Sequence, residues 1–217
     1  MKDDAILLDH DLNDNTSIHT KKRRMEYTNK ESITATMINP LYQQRSFQVA
    51  PDFNCSAVID PQLASDYYLS MTMNSYRCQL SHLLQHTKAV VLFFYGRDFT
   101  TVAGSDLMSI SANIDRFKQQ AAIPLGLSID TEQVHQSYLQ YHQQQYQQIL
   151  PFPLLSDPTR SIVRHFNILN KNTSVAERAV FIIDRSRQIQ FSFVLGDDRI
   201  HHSMDTIMTT LQMLPTT

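Results

Sequence analysis

Two side chains in this sequence carry sulfur able to act as a nucleophile, Cys55 and Cys78. Only a thiolate attacks an electrophilic oxygen or sulfur. A working cysteine therefore needs a helix N-terminus, a nearby cation or a metal to bring its pKa below the free value of about 8.5. Cys55 falls in the first strand region and Cys78 in the segment before the central strand, and neither context gives that help. Both read as buried, idle cysteines. The histidines suggest metal binding, since His82 and His86 are spaced i, i+4 and His201 and His202 are adjacent. No cysteine or carboxylate completes a four-ligand set at useful spacing, so they read as surface histidines and no metal or cofactor is expected. Tyr138, Tyr141 and Tyr146 lie among glutamines without accompanying Lys or Arg. They read as a core-facing stripe rather than a base-stacking surface, and no nucleic-acid partner is expected. There is no Gly-rich phosphate loop and no Ser-His-Asp signature.

The elements that must position these groups follow from composition and periodicity. The chain has 217 residues, 42% hydrophobic and 18% charged, with a net charge of −2, so a packed core is available and no whole-chain charge draws it to polyanions. No apolar run approaches the roughly 18 residues of a membrane helix. Met-Lys-Asp-Asp lacks the pattern of a signal peptide, and two cysteines make no disulfide framework; a cytoplasmic, reducing location is expected. Residues 1–46 are polar, with Asp3, Asp4, Asp9, Asp11 and Asp14 followed by Lys21-Lys22-Arg23-Arg24, and read as a flexible tail. The basic run offers a contact for an acidic partner but reads first as a solvated segment.

Residues 47–217 alternate between strand and helix patterns. Ala89–Tyr95 is a continuous apolar run, the mark of a strand buried on both faces. Leu107, Ile110, Ile114 and Phe117 form one helical stripe, with Ser105 or Asp106 as its cap. Ile123–Ile129 predicts a second strand, followed by a helix burying Val134, Tyr138, Tyr141 and Ile149. Leu154-Leu155 begins a short strand, and Asp157-Pro158 predicts a helix with proline at its first position. Val180–Ile183 and Ile189–Val194 form a hairpin whose second strand alternates, with one face toward solvent. A last helix carries Ile207, Leu211 and Leu214. This is a layered α/β sandwich with a mixed central sheet.

Five blocks in register then carry a resemblance. Ala50-Pro51-Asp52-Phe53 resembles an A-P-x-F opening, and Val90–Thr100 resembles V-V-L-F-F-Y-P-x-D-F-T. Leu127–Asp130 is similar to a G-V-S-V-D strand end, Pro153–Arg160 to I-P-L-L-S-D-P-T-R, and Arg178–Asp184 to R-G-L-F-I-I-D. On these blocks, spread over residues 50–214, the chain resembles the peroxiredoxin family of the alkyl hydroperoxide reductase C and thiol-specific antioxidant type. The resemblance implies a thioredoxin-like three-layer sandwich, its mixed sheet flanked by helices. It also implies a thiol-dependent peroxidase whose attacking cysteine stands in P-x-x-x-T-x-x-C at the first turn of the helix after the central strand.

Here the resemblance departs from the family's chemistry. Thr100 matches the family threonine, yet Ala103 stands where the peroxidatic cysteine belongs, and Gly96, Gly104 and Ser105 replace neighbouring motif residues. A methyl group neither attacks peroxide nor becomes a sulfenic acid. Several departures in one loop fit natural loss better than a single edit. The second cysteine that relatives carry in a C-terminal arm is not expected, since the sequence ends at Thr217. Arg160 and Arg178 match the family's arginines. They read either as a surviving anion pocket with Thr100 or, preferably, as structural ion pairs with a partner such as Asp106.

Three functional readings follow. The first is an oligomeric binding scaffold without peroxidase activity. It would pair through the edge strand Gln188–Val194 or mix with an active peroxiredoxin relative. The second is an active peroxidase that uses Cys55 or Cys78 with a thioredoxin-type reductant. The third is a module whose tail recruits a partner.

Overall fold

The computed structural model describes residues 49–73, 75–196 and 199–215. The predicted tail, including Lys21–Arg24, lies outside the described residues. In chain order the elements are β1 (Asn54–Val58), a short 3-10 helix (Ala64–Tyr67), β2 (Ser70–Met71), β3 (Tyr76–Gln79), α1 (Leu80–His86) and β4 (Ala89–Phe94). Next come α2 (Thr101–Ser111), α3 (Ile114–Gln119), β5 (Ala122–Ser128), α4 (Glu132–Tyr146), β6 (Leu154–Ser156) and α5 (Ser161–His165). The chain closes with β7 (Ala179–Asp184), β8 (Ile189–Val194) and α6 (Ile200–Met213).

The eight strands form one mixed sheet in the order β2-β3-β1-β6-β5-β4-β7-β8. The central trio β5, β4 and β7 combines a parallel β4–β5 pair with an antiparallel β4–β7 pair. Every residue of β4 and β5 is buried. Successive side chains of a strand point to opposite faces, so burial at every position requires cover on both faces and makes the architecture three layers deep. Gly126 in β5 allows a close approach, because a Cβ there would stand 2.9 Å from Leu154 Cδ2 and 3.5 Å from Leu107 Cδ2. Leu107 of α2 thus settles directly on the sheet.

Several local expectations are corrected. The stripe Leu107–Phe117 belongs to two helices, because the chain breaks at Ala112–Asn113, where the Asn113 amide donates to the Ser109 carbonyl. Thr100, not Ser105 or Asp106, caps α2. In α4 the buried residues are His135, Tyr138 and His142, while Tyr141, Tyr146 and, beyond the helix end, Ile149 are exposed. Pro158 does not open a helix. Arg160 takes φ 60°, and α5 starts only after it, with the Asp157 carboxylate accepting from the Ser161 and Val163 N–H groups at 2.9 Å each. In β8 the alternation is interrupted, since neighbouring Ser192 and Phe193 are both buried and the register shifts opposite Ile182/Ile183.

Candidate functional site

The region of interest lies where the chain leaves β4 and enters α2. A buried polar network fixes this loop. The Tyr95 hydroxyl donates to Asp98 Oδ1 at 2.8 Å, and His135 Nδ1 lies 2.7 Å from Asp98 Oδ2. His135 Nε2 lies 3.2 Å from the Leu155 carbonyl oxygen. The Asp98 N–H donates to Asp130 Oδ2, which also accepts from the Ser128 hydroxyl. Charged and polar groups this deep are retained when each is paired, and here the pairs tie the loop to α4, β5 and β6. Burial, and then the Asp98 charge beside it, push the Tyr95 hydroxyl well above its ordinary pKa.

Phe99 follows with φ 58°, a left-handed conformation costly for a residue with a Cβ. Its ring meets Tyr138 at 5.3 Å and Tyr141 at 5.6 Å between centroids, contacts that hold the strained turn. The turn delivers Thr100 to the helix cap. Its Oγ1 accepts from the Ala103 N–H at 3.2 Å and donates to the Arg97 carbonyl at 3.0 Å. The hydroxyl is thereby engaged on both sides. Ala103 occupies the first turn of α2 and is 2% exposed.

One turn further on, Asp106 receives a bidentate pair from Arg178, with Nε to Oδ2 at 2.8 Å and Nη2 to Oδ1 at 2.9 Å. Arg178 Nη1 donates to the Gly196 carbonyl at 2.9 Å. Of the two sequence readings for Arg178, this geometry favours the structural ion pair. Arg160 differs from both expectations. Its Nε donates to the Ser174 carbonyl and its Nη1 to the Pro158 carbonyl, so it clips a loop through backbone acceptors. Its left-handed backbone sets that direction.

The two thiols lie elsewhere. Cys55 in β1 and Cys78 in β3 are free, buried and directly opposite in the antiparallel ladder. In the sheet, β1 stands three strands from β4, roughly 14 Å at the usual strand spacing. Burial pushes the Cys55 thiol up to about 12 and Cys78 well above its ordinary value. Neither is in the environment of an activated nucleophile. Among the described residues no group of three or more His, Cys, Asp or Glu side chains gathers to hold a metal. No described helix is long and apolar enough to cross a membrane. Asp98 and His135 were missed from sequence. The usable signal was the 135, 138, 142 spacing, which puts both histidines on the buried side of Tyr138.

A mixed sheet with a helix starting just beyond its central strand, and an arginine clamp on that helix, define a thioredoxin-like α/β protein. Comparison with known proteins narrows the class. The profile of the AhpC/TSA family matches residues 48–192. The chain is 32% identical over 166 residues to the chloroplastic 2-Cys peroxiredoxin BAS1 of Spinacia oleracea, covering 76% of this chain and 57% of that protein. It therefore spans little more than half of that relative's length. It is 34% identical over 168 residues to the putative peroxiredoxin ycf42 of Pyropia yezoensis, covering 77% and 76% of the two chains. Among solved structures, the Plasmodium yoelii thioredoxin peroxidase I superimposes with a TM-score of 0.63 at 27% identity, over 77% of this chain and 89% of that one. The chain belongs to the AhpC/TSA family of peroxiredoxins.

Proposed function

We propose that this chain is a peroxiredoxin-family protein that has given up peroxidase chemistry and acts by binding, as a homodimer or larger homo-oligomer. One observation carries the reading. The first turn of α2, where the family resemblance puts the attacking cysteine, holds the methyl group of Ala103. The cap hydroxyl of Thr100 and the guanidinium of Arg178 are both engaged by the protein itself. The binding half of the proposal draws support from two surfaces. Strand β8 is the outermost of the described strands at its end of the sheet; Val49 bridges to Gln188 just before it, and half-buried Ile189 and Phe191 are suited to pairing with a second copy. Phe99 and Val102, beside the start of α2, are about half exposed. An active family member is a natural partner for mixed assembly, and a reducing cytoplasmic setting suits two free thiols.

The alternative is a peroxidase running on Cys55 or Cys78 with a thioredoxin-type reductant. Their cross-strand placement is the observation in its favour, and their burial argues against it. The test is hydrogen peroxide turnover by the full chain with dithiothreitol or thioredoxin as reductant, beside light scattering at micromolar concentrations. The binding reading expects no turnover above a denatured control and a particle of at least two chains. Sustained turnover, or a strict monomer across the range, would defeat it.

A further inference from the structure

We propose that Cys55 and Cys78 form a redox-sensitive clip, closing an intrachain disulfide that staples β1 to β3 at the sheet edge. This inference stands beside the binding role because closure is slow and consumes one peroxide per chain: sustained turnover would defeat the binding reading, whereas failure to close would defeat only the clip.

The register carries the geometry. Asn54, Cys55, Ser56 and Ala57 face Gln79, Cys78, Arg77 and Tyr76 in turn, so the two cysteine side chains share one face. The Leu80 N–H donates to the Phe53 carbonyl at 3.2 Å, which makes Phe53 opposite Leu80 a hydrogen-bonded pair. Such pairs recur every second residue, so Cys55 and Cys78 form the next one, with Cα atoms about 5.5 Å apart. That separation lies inside the range of about 4.4–6.8 Å that disulfides span. The Cβ atoms of a hydrogen-bonded pair stand somewhat wider than a disulfide prefers, so closure draws the two strands together by about 1 Å. Arg77 crosses the same ladder, with Nε on Asn54 Oδ1 and Nη1 on Ser56 Oγ, and keeps the register fixed.

Access is limited, and this separates the clip from a peroxidase. Cys55 is 7% exposed and Cys78 0%. Beyond β3 stands only the two-residue strand β2 among the described strands, so this edge opens more readily than the centre of the sheet. Burial raises the Cys55 thiol pKa and keeps its thiolate scarce near neutral pH, so oxidation is slow.

The chemistry balances with a hydroperoxide as oxidant. The Cys55 thiolate attacks one peroxide oxygen and the O–O bond breaks, giving a sulfenic acid and one water (or alcohol) that retains the Cys55 proton. Cys78 sulfur then attacks the sulfenic sulfur, the S–O bond breaks, and the Cys78 proton leaves with that oxygen as a second water. Two electrons pass from the thiol pair to the peroxide. A dithiol reverses the bond by exchange. The closed loop contains the 3-10 helix and β2. It also contains Met71 and Met73, which line a groove of about 490 Å³ against α4. Oxidation would therefore restrain that wall of the groove.

The test oxidises the full chain with hydrogen peroxide at pH 8, with and without sub-denaturing urea. Thiols are then titrated in denaturant and the peptides mapped without reductant. Both thiols should vanish together, with Cys55 and Cys78 peptides joined within one chain and restored by dithiothreitol. Urea should accelerate the loss, and the oxidised protein should melt roughly 6–12 °C higher. In Cys78→Ser, Cys55 should give no intrachain link. Sulfinic or sulfonic acid on one cysteine beside an intact second thiol would overturn the clip. So would linkage only between chains, or no thiol loss even in urea.

Discussion

Replacing Asp106 with alanine is the perturbation whose consequence the structure sets most tightly. The Asp106–Arg178 pair is bidentate, and the two side chains are 7% and 15% exposed. Removing one partner of a buried ion pair leaves the other charge desolvated, which typically costs 3–5 kcal/mol. Arg178 keeps the Gly196 carbonyl and a little solvent contact, so the low end, about 3 kcal/mol, is expected. For a chain of this size that lowers the melting temperature by roughly 6–12 °C. The assay is urea and thermal unfolding of Asp106→Ala, Arg178→Met and the double variant Asp106→Ala/Arg178→Met. In the double variant no charge is stranded, so its loss should fall short of the summed single losses by at least about 2 kcal/mol. A single-variant loss below about 1 kcal/mol, or simple additivity, would refute the reading of Arg178 as a structural clamp.

Other consequences follow from the same contacts. Thr100→Ala removes the α2 cap and should lower stability by about 1 kcal/mol in urea unfolding, while Thr100→Ser should retain most of it. Asp98→Ala strands His135 and frees Tyr95, so it should destabilise by about 3 kcal/mol or more and expose the 95–100 loop to amide exchange. Burial holds the protons of Cys55 and Tyr138 until about pH 12, whereas the unfolded chain releases them near 9 and 10. Their stabilising effect is complete below pH 9 and fades as pH climbs toward 12. The unfolding midpoint should drop across that window, less steeply in Cys55→Ala.

Legibility varied with the kind of signal. The continuous apolar run of β4 and the repeated strand–helix alternation fixed the central sheet, because strands covered on both faces leave no polar period. The α2–α3 break was hidden, since Leu107, Ile110, Ile114 and Phe117 stay in phase across it. Propensity ranks histidine as polar, so the inward faces of His135 and His142 were assigned to Tyr141 and Ile149. Their ring nitrogens find partners in Asp98, the Leu155 and Gln148 carbonyls and Met108, none of which local sequence reveals. Thr100 and Ala103 were placed from the resemblance at a helix start, and the helix does start there. Arg160 was misjudged because its direction depends on a left-handed backbone that an arginine does not advertise.

The most direct measurement of the central claim is hydrogen peroxide consumption by this chain beside its Ala103→Cys variant, under the same reductant. The account predicts no consumption above the denatured control for the parent. It predicts a new reactive thiol in the variant, whose sulfur joins the first turn of α2. Sustained consumption by the parent, abolished in Cys55→Ser or Cys78→Ser, would contradict it.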